Sequence, residues 1–590
     1  MIARLNKLFS LLSPAEKRSF FVLVTLNALA ALSEVLGIFS VLPFLAVAGD
    51  TSVIKSNPAL ASLYAWSGLQ SHYDFVIVLG LFTIGAIVLT NCIGIVSLWY
   101  RTKFCYGVIA AMSDRLFRGY LAQPYSFFLR RNTNVLAKDL LNETQGFFAN
   151  ILDPVTSILA RGLQLIFVIA ALLVYNWKAA LSAGVLFGGF YCVIYLLLHS
   201  RLGRIGNVRW ACNERRYQLI GEALSGMKEV RLYSREKWYA DNFQLESTRL
   251  GSLQGRGFLY GVSPRYLLET MAFSALVAYV LIELYNKKNL TEILPLLGIF
   301  AVAGVRVMPA VQIVFQYASH LRTNWIGVER LSSLFAEVNA SCRAPDLPIP
   351  ATIRLPLREG LVLESLHFAY PGTTKSVLTG VSVSIPARAC VGFCGESGAG
   401  KTTLMDLCLG LIEPDRGQIR VDGRIIDDLS RGAWQLNVGY VPQQIYLLDA
   451  SVAENIAFGV NRAEINLPAV EKAARMASLH DFICQLPLGY ETGVGERGIR
   501  LSGGQRQRIA IARALYHDPE VLVFDEATSA LDSETENTIV ESIQALARQK
   551  TIIIVAHRIS TLRYCDTIYK MIQGTVSEPC TYADLLAGSK

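Results

Sequence analysis

Apolar residues are gathered into long runs over the first half of the chain and into short, interrupted runs over the second. A bilayer-crossing helix needs about 20 mostly apolar residues. Six stretches reach that length, near 19–47, 75–99, 155–175, 178–199, 265–285 and 293–317, and nothing after 318 does. The first run is too long for the core of a signal peptide and lacks a small-residue cleavage site, so it is expected to be retained. Ahead of it, LNKLFSLLSPAEKRS reads as a short amphipathic helix expected on the inner leaflet, then Ser13 as N-cap, Pro14 at N1 and Glu16 at N3.

Segments 100–150 and 200–257 keep helical periodicity with few Pro or Gly, and are expected to carry spans on into the cytoplasm. The pattern is lost in ASCRAPDLPIPATIRLPLREG, which is rich in proline and reads as a linker. Beyond it come β-rich segments, LVLESLHFAY and VSVSIP, and then ACVGFC and VLVFD alternating with helical patterns. The expected architecture is a membrane α-helical domain of six transmembrane helices extended into the cytoplasm (1–330), a linker (331–353), and a C-terminal α/β domain with an antiparallel addition (354–590).

Composition agrees with a membrane: 52% hydrophobic and 17% charged residues are too oily a mixture for an ordinary soluble protein. Lys and Arg set the orientation. They crowd 100–150 (Arg101, Lys103, Arg115, Arg118, Arg130, Arg131, Lys138) and recur from Arg201 to Arg256, whereas the opposite loops hold only Lys55, Lys287 and Lys288. Both termini are therefore expected in the cytoplasm. The net charge of +8 is explained by anionic inner-leaflet lipid, with no need for nucleic acid. The eleven cysteines show no zinc-type spacing, and Cys390 and Cys394 read as core filling around a buried strand.

The strand ACVGFC runs into GESGAGKTTLMDLCLGL, which fits G-x-x-x-x-G-K-[ST] with a strand before it and a helix after. Across Gly395, Glu396, Ser397, Gly398, Ala399, Gly400, Lys401, Thr402 and Thr403, the glycines let backbone N–H groups face the phosphates of ATP. Lys401 is placed to neutralise β/γ oxygens and Thr402 to offer its hydroxyl to Mg²⁺. VLVFDE ends a buried strand in Asp525, a second Mg²⁺ ligand, and Glu526, a carboxylate able to orient and deprotonate an attacking water.

LSGGQRQRIAIARAL, at 501–515, resembles the signature motif of ABC ATPases, and further family elements follow in family order. The resemblance implies that Tyr370 stacks on adenine, that Gln443 in GYVPQQ is the Q-loop glutamine touching Mg²⁺, and that His557 in IVAHR is the switch histidine on the γ-phosphate. It likewise makes GVGERG the loop peculiar to exporters and Ser529 to Asp532 the D-loop. Ser502, Gly503, Gly504 and Gln505 would serve the nucleotide held by the opposite subunit. With every catalytic position intact, a homodimer with two composite sites is expected. Six spans ahead of such a domain resemble the type I (type IV) exporter half-transporter, in which QPYSFF and SREKWYADN would be coupling helices.

Charged residues within spans mark function by default; here they include Glu34, Arg161, Arg265, Glu269, Glu283 and Arg306. Arg265 and Glu269 can pair along one helix face. Arg306 lies mid-span, three residues before Pro309, and is expected to face a wet cavity, with Arg265 at its inner mouth, or a carboxylate such as Glu34. Such a cavity suits an anionic headgroup. SEVLGIFSVLPFLAVAGD, GVSPRYLLETMAF and AGVRVMPA resemble segments of the bacterial lipid-linked oligosaccharide flippases of protein-glycosylation (Pgl) systems, which move a polyprenyl-pyrophosphate glycan from the cytoplasmic to the periplasmic leaflet. The second span departs from that pattern, carrying Thr90 and Asn91 but no base. Export of another lipid, a polysaccharide precursor or a hydrophobic drug is the alternative.

Overall fold

The computed structural model describes residues 2–587 except 50–53, 55–57, 70, 132, 286–289, 342–352, 374, 527–540, 542 and 557. The chain forms two compact units, Met1–Gln123 with Arg131–Leu347, and Pro124–Arg130 with Pro348–Lys590.

The first unit is helical. Its main elements are α1 (Ile2–Ser10), α2 (Pro14–Gly49), α3 (Pro58–Ser67), α4 (His72–Leu121), α5 (Asp153–Ser225), α6 (Glu236–Val262), α7 (Pro264–Tyr285), α8 (Leu290–Asn324) and α9 (Ile326–Ser341). Among the described residues, four stretches are long and apolar enough to cross a membrane: Pro14–Gly37, His72–Leu121, Val135–Ala171 and Glu236–Ile282. The span expected at 293–317 falls largely, and that at 178–199 in part, on positions whose side chains lie outside the described residues. Helix α5 is unbroken through the boundary between the spans expected at 155–175 and 178–199. YNWKAA, at that boundary, contains neither Pro nor Gly to interrupt the backbone. Helix α9 continues to Ser341, beyond the expected domain end at 330, its apolar Val328, Leu331, Leu334, Phe335 and Val338 keeping helical spacing.

The capping box before α2 is present: Ser13 N donates to Glu16 Oε2 at 2.6 Å and Glu16 N to Ser13 Oγ at 3.3 Å. At the end of the amphipathic segment, Leu8, Leu11 and Leu12 are buried in a protein core with Phe20, Phe104, Val108, Val328 and Leu331. Arg115, from α4, locks it by donating to Leu11 O and to both Glu16 carboxylate oxygens.

Helices α2 and α4 meet along a polar seam. Thr83 Oγ1 donates to Ser40 O at 3.0 Å, Thr90 Oγ1 to Ser33 O at 2.9 Å, and Ser97 Oγ to Asn27 Oδ1 at 2.8 Å. A Cβ on Gly37 would stand 3.0 Å from Thr90 Oγ1, so the missing side chain permits the close approach. Phe82, Leu89 and Ile95, on the same helix, are exposed, as a lipid solvent allows.

The second unit is the expected α/β fold. Six strands order as β10-β9-β3-β8-β7-β6, all parallel but for β10. They comprise β3 (Cys390–Gly395), β6 (Val438–Val441), β7 (Val521–Asp525), β8 (Thr551–Val555), β9 (Thr567–Ile572) and β10 (Thr575–Val576). β7 and β8 are buried at every position, the reading of a sheet covered on both faces. Leu522, Phe524, Ile552 and Ile554 enter one core. Val521, Val523, Ile553 and Val555 enter the other, which is shared with an antiparallel sheet. That second sheet orders as β2-β1-β4-β5, from β1 (Gly360–Phe368), β2 (Leu378–Pro386), β4 (Arg416–Val421) and β5 (Arg424–Ile425). Cys390 and Cys394 fill core as expected, and Cys390 Sγ lies 3.6 Å from Cys565 Sγ.

Candidate functional site

β3 ends at Gly395 and a tight loop leads into helix α10 (Lys401–Cys408). Gly395 has φ 150°, and a Cβ there would meet Met571 O at 2.4 Å; Gly400 has φ 100°, and a Cβ there would meet Leu378 Cδ2 at 2.8 Å. Only glycine fits either position, and the loop stays a cradle of backbone. Glu396, Ser397 and Gly398 are exposed on its outer side, while Ala399 is buried. Lys401 is 5% exposed, its ammonium donating to the carbonyls of Gly395 (2.9 Å) and Glu396 (3.0 Å). The charge is thereby pinned over the loop. Thr402 is exposed, and Thr403 Oγ1 lies 3.0 Å from Tyr370 OH. The Tyr370 ring stands edge-on to Phe368, with centroids 5.1 Å apart.

Asp525 closes β7, only 4% exposed, and accepts a long hydrogen bond from Tyr440 OH at 3.4 Å. Burial, with the Asp525 carboxylate adding to it, pushes the neighbouring Asp406 carboxyl up to about 6. Burial and the same two carboxylates raise the Tyr440 phenol. Glu526 follows at φ 50°, a left-handed backbone that is costly for a glutamate and common at working sites. Its amide is fixed by Val555 O at 3.0 Å and its carboxylate accepts from Gln443 Nε2 at 2.5 Å. Two candidate catalytic residues 83 positions apart are thus in direct contact.

Ser502 caps helix α12 (Gly503–Tyr516; α11 is Val452–Ile456) through a reciprocal box with Gln505: Gln505 N donates to Ser502 Oγ, and Ser502 N to Gln505 Oε1. Gln505 therefore serves its own helix end, leaving the Ser502 and Gly503 end to face a ligand. The GVGERG turn, with Arg497 at φ 51°, packs Gly498 between Leu447 and Arg506. His557 and Ser529 to Asp532 lie outside the described residues.

Sequence reasoning missed Asp406 and Arg513. The signal for Asp406 was available, since MDLCLGL sets one carboxylate in an apolar helix. Arg513 donates to Asn455 O (2.8 Å), Tyr446 O (2.8 Å) and Asn455 Oδ1 (3.1 Å), with its guanidinium over Phe458. It binds the signature helix to the segment that follows Gln443. In the first unit Arg265 Nε donates to Glu269 Oε1 at 2.6 Å, so these two satisfy each other on one helix. Arg306 falls in α8, and its side chain lies outside the described residues.

A loop that only glycine permits at 395 and 400, a buried lysine at its rim and a helix N-terminus suit the phosphates of ATP. Thr402, Asp525 and Gln443 each carry the hard oxygen donor that Mg²⁺ prefers.

A phosphate-binding loop on a parallel sheet, fused behind helices of membrane length, defines an ATP-driven membrane transporter. The model of the ABC transporter transmembrane region matches residues 19–285 and that of the ABC transporter residues 378–529. The ATP-dependent lipid A-core flippase of Cupriavidus pinatubonensis is 31% identical over 82% of this chain and 81% of its own. That of Pseudomonas fluorescens (strain Pf0-1) is 29% identical over 93% and 86%. A bacterial Atm1-family ABC exporter with ATP bound shares the fold at TM-score 0.74, covering 98% of this chain and 97% of that one at 23% identity. The chain belongs to the ABC transporter family, as an exporter half-transporter that hydrolyses ATP.

Proposed function

We propose that the chain acts as a homodimer in a bacterial cytoplasmic membrane, both termini in the cytoplasm, and flips an anionic lipid-anchored glycan from the inner to the outer leaflet. The supporting observation is that its similarity to ATP-dependent lipid A-core flippases runs through 93% of the chain, membrane region included. The span segments favour a polyprenyl-pyrophosphate glycan within that class, with Arg306 and Arg265 as the bases that meet its phosphates; lipid A-core is the second reading, favoured by the relatives.

Each ATP is held by Gly395 to Thr403 and Tyr370 of one subunit and by Ser502, Gly503 and Gly504 of the other. Glu526 orients and deprotonates the attacking water, with Gln443 steering its carboxylate and His557 on the γ-phosphate. Thr402, Gln443 and Asp525 would hold Mg²⁺, which would supply neutralisation of phosphate charge.

The test is reconstitution in vesicles with three cargoes in parallel: polyprenyl-pyrophosphate glycan, lipid A-core and a hydrophobic drug. ATP-dependent protection of the glycan from an external lectin is expected for the first, and Arg306→Ala should impair it more than basal hydrolysis. Protection of lipid A-core alone would replace the pyrophosphate reading, and a response to the drug alone would overturn the glycolipid class.

A further inference from the structure

We propose that Cys484 is a reversible S-thiolation site: a thiol of the ATP-binding unit that reacts with small disulfides, with His480 as its base and Tyr490 as the group that orients the base. The site is separate from the nucleotide site and independent of the cargo.

The three side chains touch in sequence. A short helix, His480–Cys484, sets its first and last residues one turn apart, and Cys484 Sγ lies 3.6 Å from His480 Nε2. The other ring nitrogen, Nδ1, lies 2.8 Å from Tyr490 OH. A nucleophile, a base within reach of it and a third group holding the base are the parts an activated thiol needs. Burial pushes the Tyr490 phenol up to about 12, with Glu471 and Cys484 adding to it and Arg475 opposing. At neutral pH the phenol therefore meets the ring as a neutral hydroxyl, and its oxygen accepts from Nδ1–H when the imidazole takes a second proton.

Exposure separates Cys484 from the other described cysteines. Cys92, Cys192 and Cys484 are exposed, and the first two fall within the spans expected at 75–99 and 178–199. In the ATP-binding unit Cys390, Cys394, Cys408 and Cys565 are buried, burial pushing the Cys408 thiol up to about 12, and half-buried Cys580 donates to Ile568 O. Such thiols keep their protons and meet little solvent. The backbone under Cys484 is nevertheless anchored. Leu479 and Ile483 are fully buried, and Phe482 and Tyr490 pack on the same core, so sulfur and ring are held in register at the surface.

The reaction needs no oxidant beyond the disulfide itself. Cys484 Sγ attacks one sulfur of the reagent while its proton passes to His480 Nε2. The S–S bond of the reagent breaks, its electron pair leaves on the second sulfur, and that thiolate takes up the proton. One small disulfide is consumed, and one protein mixed disulfide and one free thiol are formed. A second small thiol reverses the step.

The full-length transporter in detergent, near neutral pH, is treated with glutathione disulfide, and the adduct at each cysteine is followed by peptide mass mapping, with ATP hydrolysis as the check on folding. Cys484 should be modified faster than every other cysteine, and dithiothreitol should remove the adduct. His480→Gln should slow modification of Cys484 about fivefold, a modest factor because a more readily ionised thiol is also a weaker nucleophile. Tyr490→Phe keeps the ring and loses the hydroxyl, and its rate should fall between the two, with hydrolysis near native in both variants. If His480→Gln loses hydrolysis, Tyr490→Phe decides alone. Absence of an adduct on Cys484 overturns the site, and an unchanged rate in folded variants overturns the roles of His480 and Tyr490.

Discussion

The two units place their polar groups in opposite ways. At the nucleotide site of the ATP-binding unit they are set on or against strained or glycine-only backbone: Gly395 and Gly400 cannot carry a Cβ, Glu526 sits at φ 50°, and Lys401 is pinned to the loop it guards. In the membrane unit Thr83, Thr90 and Ser97 turn inward to the facing helix, and apolar Phe82, Leu89 and Ile95 take the outside. Water satisfies a polar group that waits for a ligand, whereas lipid does not, so in lipid each such group needs a protein partner. A polar side chain at the nucleotide site is read as facing a ligand, and one in the membrane unit as facing a neighbour.

The largest effect that tests this contrast is Glu526→Gln. ATP binding should persist while turnover falls about 10²–10⁴-fold, the usual worth of a positioned base. Trapped radiolabelled ATP and a steady-state phosphate assay measure the two halves. Hydrolysis near the native rate would remove Glu526 from the chemistry and leave its strained backbone unexplained.

Asp406 gives the next effect, and its sign follows from a raised pKa. The folded protein holds this proton up to about 6, whereas the unfolded chain loses it near 3.8. The carboxyl therefore contributes nothing to the pH dependence below the unfolded value. It destabilises increasingly as pH rises through that window, and fully above it. Asp406→Asn should stabilise the nucleotide-free, Mg²⁺-free protein at pH 8 by up to about 3 kcal/mol, with the gain vanishing at pH 4. Calorimetry of the full chain in detergent, with chelator present, reads it. A gain independent of pH would show that Asp406 is not held at the expense of the fold.

How much of this was legible follows from whether a feature is local. The phosphate loop is contiguous from Gly395 to Thr403 and its glycines announce themselves, while Asp525 and Glu526 end an apolar strand that shows them. The contact between Gln443 and Glu526 joins distant positions and was reachable only through the family's motif order. The Arg513 latch and the burial of Leu8, Leu11 and Leu12 depend on neighbours that periodicity cannot name. The amphipathic pattern of α1 showed that a face would be covered, and left lipid and protein equally able to cover it. Helical continuity through YNWKAA was hidden for a related reason, because hydropathy locates a span by its composition and sees no boundary in the backbone.

Thr90→Val is the smallest test and bears most directly on the membrane half of the contrast. Valine keeps the shape of threonine and removes only the hydroxyl that donates to Ser33 O. Hydrogen bonds between membrane helices average about 0.6 kcal/mol, because the unfolded helix in lipid finds partners of its own. The expected result is a stability loss of about that size by denaturant titration in detergent, with unchanged basal and cargo-stimulated hydrolysis. A selective loss of cargo stimulation at full stability would instead mean that Thr90 faces the transported molecule. The seam between α2 and α4 would then be part of the route, and the rule that polar groups in this unit serve their neighbours would fail at its clearest example.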